Sequence, residues 1–191
     1  WLAGGMCHPK AIQEAIELGA NGVQIGTAFA LCRESGLLPE IKQQSIAEIL
    51  GGTYDVFTNR VASPTGYPFK EVRRVGTLTD PEVYETRRRV CDFCYLAHPY
   101  YKKEGEIGWR CSAEPIESYR QKGGRIEDTL GRVCLCNALL AAIGLAQIRP
   151  DGSIEPPIIT SGDDVSFLKH LKLDFDGLYG AKEVIQYLLG N

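Results

Sequence analysis

The sequence predicts an α/β fold with parallel strands, followed by an α-rich extension that contains cysteines. Two short apolar runs, at residues 1–3 and 23–25, are typical of buried strands, and each is followed by glycine. Between them, residues 9–18 place apolar side chains at helical spacing. Strand, helix and strand in this order form a parallel βαβ unit, so the loops after both strands open onto one face. We therefore predict the last two βα units of a (β/α)₈ barrel, in which the loops after the final strands bind phosphate.

Local signals set the bounds of the helices predicted in the first part of the chain. Pro9 suits a first helical turn, because the N–H that proline lacks would be unpaired there. Gly19 is placed to end that helix. A short helix over residues 28–32 follows, and a longer helix begins at Pro39 and ends at residues 51–52. The side chains of the longer helix that we expect to face inward are those of Ile41, Ile46, Ile49 and Leu50.

The pattern changes character after the longer helix. Residues 56–58 are consistent with a short strand, and residues 63–68 are rich in turn-forming residues and predict a loop. Asp80 and Pro81 mark a helix start, because aspartate caps a helix and proline fits its first turn.

We place the boundary between the barrel elements and an appended region near residue 75. The chain is thereby divided into the end of a barrel, residues 1–75, and a largely helical or irregular region, residues 76–191. The helices expected in the appended region lie at residues 137–143, 166–171 and 181–189.

The composition describes an ordinary globular protein and argues against two classes of partner. Of the 191 residues, 44% are hydrophobic and 24% are charged, as in typical folded domains. The net charge of −3 gives no basic surface for nucleic acid. No apolar run reaches the roughly 18 residues of a membrane span, and no signal-peptide pattern opens the chain, so we expect a cytoplasmic protein. Its expected partner is a small-molecule substrate, and self-association into a homo-oligomer stays open.

The glycines after the two predicted strands suggest an anion site. Gly4, Gly5 and Gly26 allow backbone N–H groups to approach a phosphate that a Cβ would hold away, and the Thr27 hydroxyl adds a donor. The alternative is that these glycines merely end strands. His8 lies beside the site and is a weak candidate for contact with phosphate or substrate; the alternative for His8 is a helix cap or an exposed side chain.

The same residues carry a resemblance to a known family. Ala3-Gly4-Gly5 and the run from Gly22 to Phe29 (GVQIGTAF) resemble the end of the nitronate monooxygenases, formerly called 2-nitropropane dioxygenases, which are FMN-dependent (β/α)₈ barrels. The resemblance continues through residues 55–58 and 66–68. It implies that the residues binding the FMN phosphate are Gly4, Gly5, Gly26 and Thr27, with Gln24 near the flavin.

The resemblance also implies a reaction. Enzymes of this family oxidise alkyl nitronates with O₂, by way of FMN, to a carbonyl compound and nitrite. The catalytic histidine of the family would lie before residue 1, so the catalytic residue stays unassigned apart from His8. We therefore expect a carboxy-terminal fragment that is inactive alone and needs the amino-terminal barrel strands. A flavin-dependent enoyl reductase and a metal-stabilised interaction module on an inactive barrel are the alternatives.

Five cysteines in the appended region form a second candidate site. Cys91-x₂-Cys94 has a usual chelating spacing, and Cys111 and Cys134-x-Cys136 follow it. Four thiolates can hold zinc or an iron–sulfur cluster, whereas buried cysteines often only fill space. The predicted metal ligands are Cys91, Cys111, Cys134 and Cys136, with Cys94 as a spare.

Overall fold

The computed structural model describes residues 1–103 and 105–190 and has a mixed α/β fold. The chain forms two compact units, which we call the first unit (residues 1–56 with 161–190) and the second unit (residues 57–160). The carboxy-terminal segment therefore returns to the unit that contains both glycine loops. The predicted boundary near residue 75 concerns the end of the barrel elements, and it stays a prediction.

Short elements make up both units. Among the described residues, the longest helix has 13 residues, and none is both long and apolar enough to cross a bilayer. The elements, in chain order, are β1 (Leu2–Ala3), α1 (Pro9–Glu17), β2 (Val23–Gln24), α2 (Thr27–Ala30), α3 (Pro39–Gly51), β3 (Val56–Asn59), β4 (Phe69–Val72), α4 (Pro81–Thr86), β5 (His98–Tyr101), β6 (Ile107–Arg110), α5 (Ile116–Gln121), a 3₁₀ helix (Ile126–Thr129), α6 (Leu135–Ala141), a second 3₁₀ helix (Ser166–His170) and α7 (Ala181–Leu189).

The predicted parallel βαβ unit is present in the first unit. β1 pairs in parallel with β2, with Leu2 opposite Val23, and α1 connects them. Pro9 lies in the first turn of α1, as predicted. α3 ends at Gly52, which has φ 72°; this left-handed conformation favours glycine, since it has no Cβ.

The carboxy-terminal segment supplies half of the core of the first unit. α7 packs against α1 and α2, and the second 3₁₀ helix packs against α3. The buried Tyr179 donates its hydroxyl proton to the carbonyl oxygen of Ala28 at 2.8 Å, so its polar atom is satisfied. The buried residues of this core are Cys7, Ala28, Leu31, Cys32, Ile46, Phe167, Leu168, Leu178, Tyr179 and Val184.

Two burial predictions in the first unit are wrong. β1 was expected to be buried, but Leu2 is exposed, because in the described part of the chain β1 pairs only with β2. Leu50, expected to face inward, is 57% exposed, whereas Ile46 one turn earlier is 2% exposed. Leu50 lies in the last turn of α3, beyond the buried residues of this helix, which end at Ile46.

The second unit contains two small sheets. β3 and β4 form one of them, and β5 and β6 form an antiparallel hairpin with His98 opposite Arg110. This hairpin was not predicted, because the sequence between residues 90 and 150 has no clear period. α4 begins as expected, since the Asp80 carboxylate accepts the backbone N–H of Glu82 at 3.1 Å.

A buried carboxylate joins three parts of the second unit. Glu155 is 2% exposed in its side chain and lies 2.5 Å from Arg87 and 2.6 Å from Arg149. Arg149 in turn donates to both oxygens of Asp92, at 2.9 and 3.0 Å. Such a set of charges is stable only when every member keeps its partners, because desolvation of an unpaired ion is costly.

Replacing Glu155 by alanine should therefore destabilise the second unit strongly. The change leaves Arg87 and Arg149 buried without their shared carboxylate, which costs about 3–5 kcal/mol. Urea unfolding followed by circular dichroism measures this loss. Glu117→Ala is the matched control, because the Glu117–Arg120 pair is about 60% exposed on both sides and contributes at most about 1 kcal/mol. Equal losses for the two variants would contradict the assignment.

Candidate functional site

The two glycine loops of the first unit leave open space beside their backbones. Gly4 and Gly5 have φ values of 87° and 65°, in the left-handed region. A Cβ added at Gly4 or at Gly26 would meet no atom within 4 Å. Gly26 has φ −100°, so its backbone does not require glycine. Because Gly26 has no side chain, the space beside its backbone is open, and a ligand can approach the backbone closely.

Thr27 is already engaged by the returning carboxy-terminal segment. The backbone N–H of Gly162 donates to Thr27 Oγ1 at 2.8 Å, and a Cβ at Gly162 would lie 3.0 Å from that oxygen. The Thr27 hydroxyl keeps its own proton and can still donate it. The segment beginning at residue 161 thus lies directly against one of the predicted phosphate ligands.

His8 is held on both ring nitrogens. Its Nδ1 lies 2.9 Å from the Tyr187 hydroxyl, and its Nε2 lies 3.0 Å from Ser166 Oγ and 3.3 Å from Asp164 Oδ2. Ser166 Oγ also donates to Asp164 Oδ1 at 2.6 Å. The side chains of His8, Asp164, Ser166 and Tyr187 all have a hydrogen-bond partner when the Tyr187 hydroxyl donates to Nδ1 and the His8 Nε2–H donates to Ser166 or Asp164. We call His8, Asp164, Ser166 and Tyr187 the His8 network.

This arrangement does not support the helix-cap alternative for His8. The residue precedes α1, but its side chain makes no capping hydrogen bond. Burial is the main cause that raises the pKa of Tyr187 above its usual value, so the phenol stays protonated and occupies the lone pair of Nδ1. His8 therefore has no free nitrogen to act as a base unless Tyr187 moves.

Asp164 brings a negative charge to the glycine loops. Its Oδ2 lies 3.8 Å from the position that a Cβ would take at Gly5. Burial raises the pKa of Asp164, but hydrogen bonds from Ser166 and from His8 outweigh it and leave the pKa below its ordinary value. Asp164 is thus ionised at neutral pH. This contact with Gly5 joins residues far apart in sequence.

The remaining residues near the loops are placed as follows. Gln24 lies on β2 opposite Ala3, and it is exposed. Cys7 is buried, and this burial, with the charge of Asp164, raises the pKa of its thiol to about 11. Cys7 is therefore protonated at neutral pH and packs in the core of the first unit.

The cysteines of the second unit lie close together, and electrostatic interactions link Cys134 to Cys91 and to Cys111. Cys91 Sγ lies 3.5 Å from Cys94 Sγ. The thiol of Cys134 is hydrogen-bonded to Cys136, which is the main cause that lowers the pKa of Cys136 to about 7. Cys111 packs against Cys134. Within residues 1–103 and 105–190, no group of three or more His, Cys, Asp or Glu side chains is arranged to hold a metal ion, so the predicted ligand set of Cys91, Cys111, Cys134 and Cys136 receives no support.

Comparison with known proteins matches the glycine-loop segment to one family. Residues 2–60 match the family model of nitronate monooxygenase, which confirms the resemblance inferred from the sequence over this segment. A probable nitronate monooxygenase from Bacillus subtilis is 50% identical over 42 residues, or 22% of this chain and 12% of the relative. A nitronate monooxygenase from Pseudomonas aeruginosa is 58% identical over 33 residues, or 17% of this chain and 9% of the relative.

The extent of these matches is limited. The aligned stretches span about a tenth of the length of the two curated relatives, and no solved structure matches the chain significantly. The family comparison therefore concerns residues 2–60, which contain β1, β2 and both glycine loops.

The ionised state of Asp164 should make the stability of the first unit depend on pH. Because the pKa of Asp164 is lower in the folded than in the unfolded protein, its contribution is present above the unfolded value of about 3.9 and is lost as the pH falls through the folded value. We expect wild type to exceed Asp164→Asn in stability at pH 7, and the difference to vanish in acid. Urea unfolding across this pH range measures it.

The control for this measurement is Glu14→Gln. Glu14 is an exposed carboxylate on α1 that pairs with Lys10 at 3.6 Å, and such pairs contribute little. A difference between wild type and Asp164→Asn that stays constant with pH would show that the carboxylate is not the stabilising form.

Proposed function

We propose that this chain carries the FMN phosphate-binding end of a nitronate monooxygenase, which oxidises alkyl nitronates with O₂ to a carbonyl compound and nitrite. One observation carries the proposal. Within residues 2–60, which match the family model, two parallel strands are paired side by side, and each runs into a glycine loop with open space beside its backbone. This is the part of an α/β barrel at which phosphate groups bind.

The loops suit a phosphate in shape and in hydrogen bonding. Gly4 and Gly26 have no neighbour within 4 Å of a Cβ position, so a phosphate oxygen can approach the backbone at van der Waals distance. Thr27 retains one hydroxyl proton to donate. Bound FMN supplies the electron transfer between nitronate and O₂. Under this proposal the residues that hold the phosphate are Gly4, Gly5, Gly26 and Thr27, and the exposed Gln24 lies near the flavin.

The surroundings of Gly5 also limit phosphate binding. The Asp164 carboxylate faces this loop, so it would repel a phosphate bound there by on the order of 1 kcal/mol. His8 Nε2 lies 3.3 Å from the same carboxylate oxygen. In the proposal His8 positions Asp164 and Ser166, and no catalytic base is assigned to this chain.

Exposed apolar side chains support the need for further barrel strands. Trp1 is 84% exposed and Leu18 is 81% exposed, and Leu2 on β1 is also exposed. A parallel sheet is normally covered on both faces, so these side chains provide a surface against which additional strands and helices would pack. The partner that we propose for this surface is the rest of the same barrel.

Fusing this chain after the barrel strands that precede the matching stretch of the Bacillus subtilis relative tests the reaction. We expect the fusion protein to bind FMN and to release nitrite and acetone from propane-2-nitronate with consumption of O₂. The chain alone should release no nitrite, because among its described residues β1 pairs only with β2, and a parallel sheet of two strands is not covered as a barrel site requires. Ion chromatography of nitrite and an oxygen electrode give the two measurements.

Three results of the fusion experiment would count against the proposal. Nitrite release by the chain alone would show that the site is misplaced. Consumption of NAD(P)H with an enoyl thioester, without nitrite release, would favour a flavin-dependent enoyl reductase. A fusion protein that folds but binds no flavin would reject both enzymes.

Gly26→Val should weaken FMN binding by at least about tenfold without damage to the fold. Its Cβ would meet no atom, and its backbone is outside the left-handed region, so valine fits the loop but fills the space proposed for the phosphate. Riboflavin, which lacks the phosphate, should bind the variant and the parent fusion protein equally. Titration of flavin fluorescence gives both dissociation constants, and a tenfold change corresponds to about 1.4 kcal/mol.

Asp164→Asn should change the affinity for FMN in the opposite direction from Gly26→Val. Removing the charge that faces the loop should tighten FMN binding by about tenfold, the equivalent of roughly 1.4 kcal/mol, and leave riboflavin binding unchanged. If either variant changes the affinities for FMN and riboflavin by the same factor, the loops do not bind the phosphate.

A further inference from the structure

Five of the seven cysteines come together in the second unit, independently of the glycine loops. They derive from three separate segments of the chain. Cys91 and Cys94 follow α4, Cys111 follows β6, and Cys134 and Cys136 lie at the start of α6. Cys111, Cys134 and Cys136 belong to one apolar cluster, and all five are free thiols.

Cys91 and Cys94 are the pair that is open to solvent. Their sulfurs are 3.5 Å apart, Cys94 is exposed, and Cys91 is half-buried. Two residues separate them, a spacing that is common in thiol–disulfide exchange sites. The buried Cys134 is 4% exposed, so a disulfide in solution cannot reach it in this structure.

The loop between the two cysteines is held in place by Asp92. The Asp92 carboxylate accepts hydrogen bonds from Arg149 at 2.9 and 3.0 Å and from the buried Asn137 amide at 2.5 Å. A carboxylate that accepts three hydrogen bonds from two donor groups does not rotate freely, so the backbone on both sides of it is held. The loop that carries the two thiols is therefore anchored to α6 through Asn137 and to Glu155 through Arg149.

Cys94 also has an unusual backbone. Its φ is 57°, and in the part of the chain that the structure describes it is the single non-glycine residue with a positive φ. A non-glycine residue in this region is uncommon, and strain of this kind occurs often at functional sites. The conformation holds the Cys94 thiol beside Cys91 while leaving it exposed.

We propose that Cys91 and Cys94 are a redox-active dithiol that reduces small-molecule disulfides by thiol–disulfide exchange. The Cys94 thiolate attacks one sulfur of the disulfide, forms a mixed disulfide and releases the first thiolate. The Cys91 thiol then gives up its proton as it attacks Cys94 Sγ, forms the Cys91–Cys94 disulfide and releases the second thiolate. The two cysteine protons go to the two released thiolates, and two electrons pass from the dithiol to the substrate.

The paired arrangement favours this chemistry over a metal site. Four thiolates around one ion would all lie about 3.8 Å from one another, since each Zn–S bond is about 2.3 Å and the geometry is tetrahedral. The described residues offer no group of three ligands of that kind. One exposed pair within 3.5 Å, with an anchored loop between them, is the arrangement that disulfide formation needs.

Equilibration of the whole chain with reduced and oxidised glutathione at varied ratios tests the proposal. After acid quenching and alkylation, peptide mass spectrometry should locate one disulfide, between Cys91 and Cys94, that forms and disappears reversibly with the ratio. Cys111, Cys134 and Cys136 should remain alkylated as thiols throughout. Metal content is measured on the same preparation by inductively coupled plasma mass spectrometry.

Two serine variants identify the order of attack. Cys91→Ser should accumulate a mixed disulfide between glutathione and Cys94, at least about tenfold above wild type, because the resolving thiol is missing. Cys94→Ser should accumulate none. Cys136→Ser is the matched control, since it removes a neighbouring thiol and leaves the pair intact; it should titrate like wild type. Circular dichroism checks that each variant is folded.

The outcomes that overturn the proposal are distinct. The assignment would be rejected if Cys91 and Cys94 were both alkylated in fully oxidised buffer. It would also be rejected if the disulfide joined Cys134 and Cys136 instead. One equivalent of zinc or iron per chain, with the cysteines protected from alkylation until it is chelated, would show a metal site in place of the dithiol.

Discussion

The hydrogen bond from the Gly162 backbone to the Thr27 hydroxyl is the contact on which the first unit depends. It joins the carboxy-terminal segment to the second glycine loop, and the buried Tyr179 reinforces it by donating to the carbonyl of Ala28. Because these two contacts set the position of the returning chain, Asp164 and its partners lie beside the first glycine loop. The charge that a ligand would meet at the loops is therefore determined by residues more than a hundred positions away in sequence.

Local signals were sufficient to predict several elements. Pro9 and Asp80 indicated the starts of α1 and α4. The helix expected at residues 181–189 is α7. These signals act within one or two turns of a helix. The hairpin of β5 and β6 was missed, since its strands are stabilised by pairing with each other and carry no clear alternation. The exposure of Leu2 was missed for a related reason: burial of a strand depends on neighbours that its own residues do not specify.

The candidate site shows the same division between local and long-range information. The sequence indicated where backbone could approach a phosphate, and the open space beside Gly4 and Gly26 agrees with that. It did not indicate the carboxylate beside Gly5, because residues 5 and 164 meet only through the fold. Nor did it indicate that both nitrogens of His8 are occupied, since one of the partners lies on α7. The spacing of the glycines thus indicated where open space lies beside the backbone. The charge next to that space became known only from the structure.

The thiols of the second unit illustrate how spacing can be chemically ambiguous. Cys-x₂-Cys suits chelation and disulfide exchange equally in sequence, and the difference lies in whether further ligands converge on the pair. Here the element that decides the geometry is Arg149, which bonds to Asp92 inside the Cys-x₂-Cys loop and to the buried Glu155. The same arginine therefore couples the stability of the second unit to the separation of the two thiols. In the proposed exchange the disulfide forms at the exposed Cys94, while Arg149 keeps its bonds to Asp92 and Glu155.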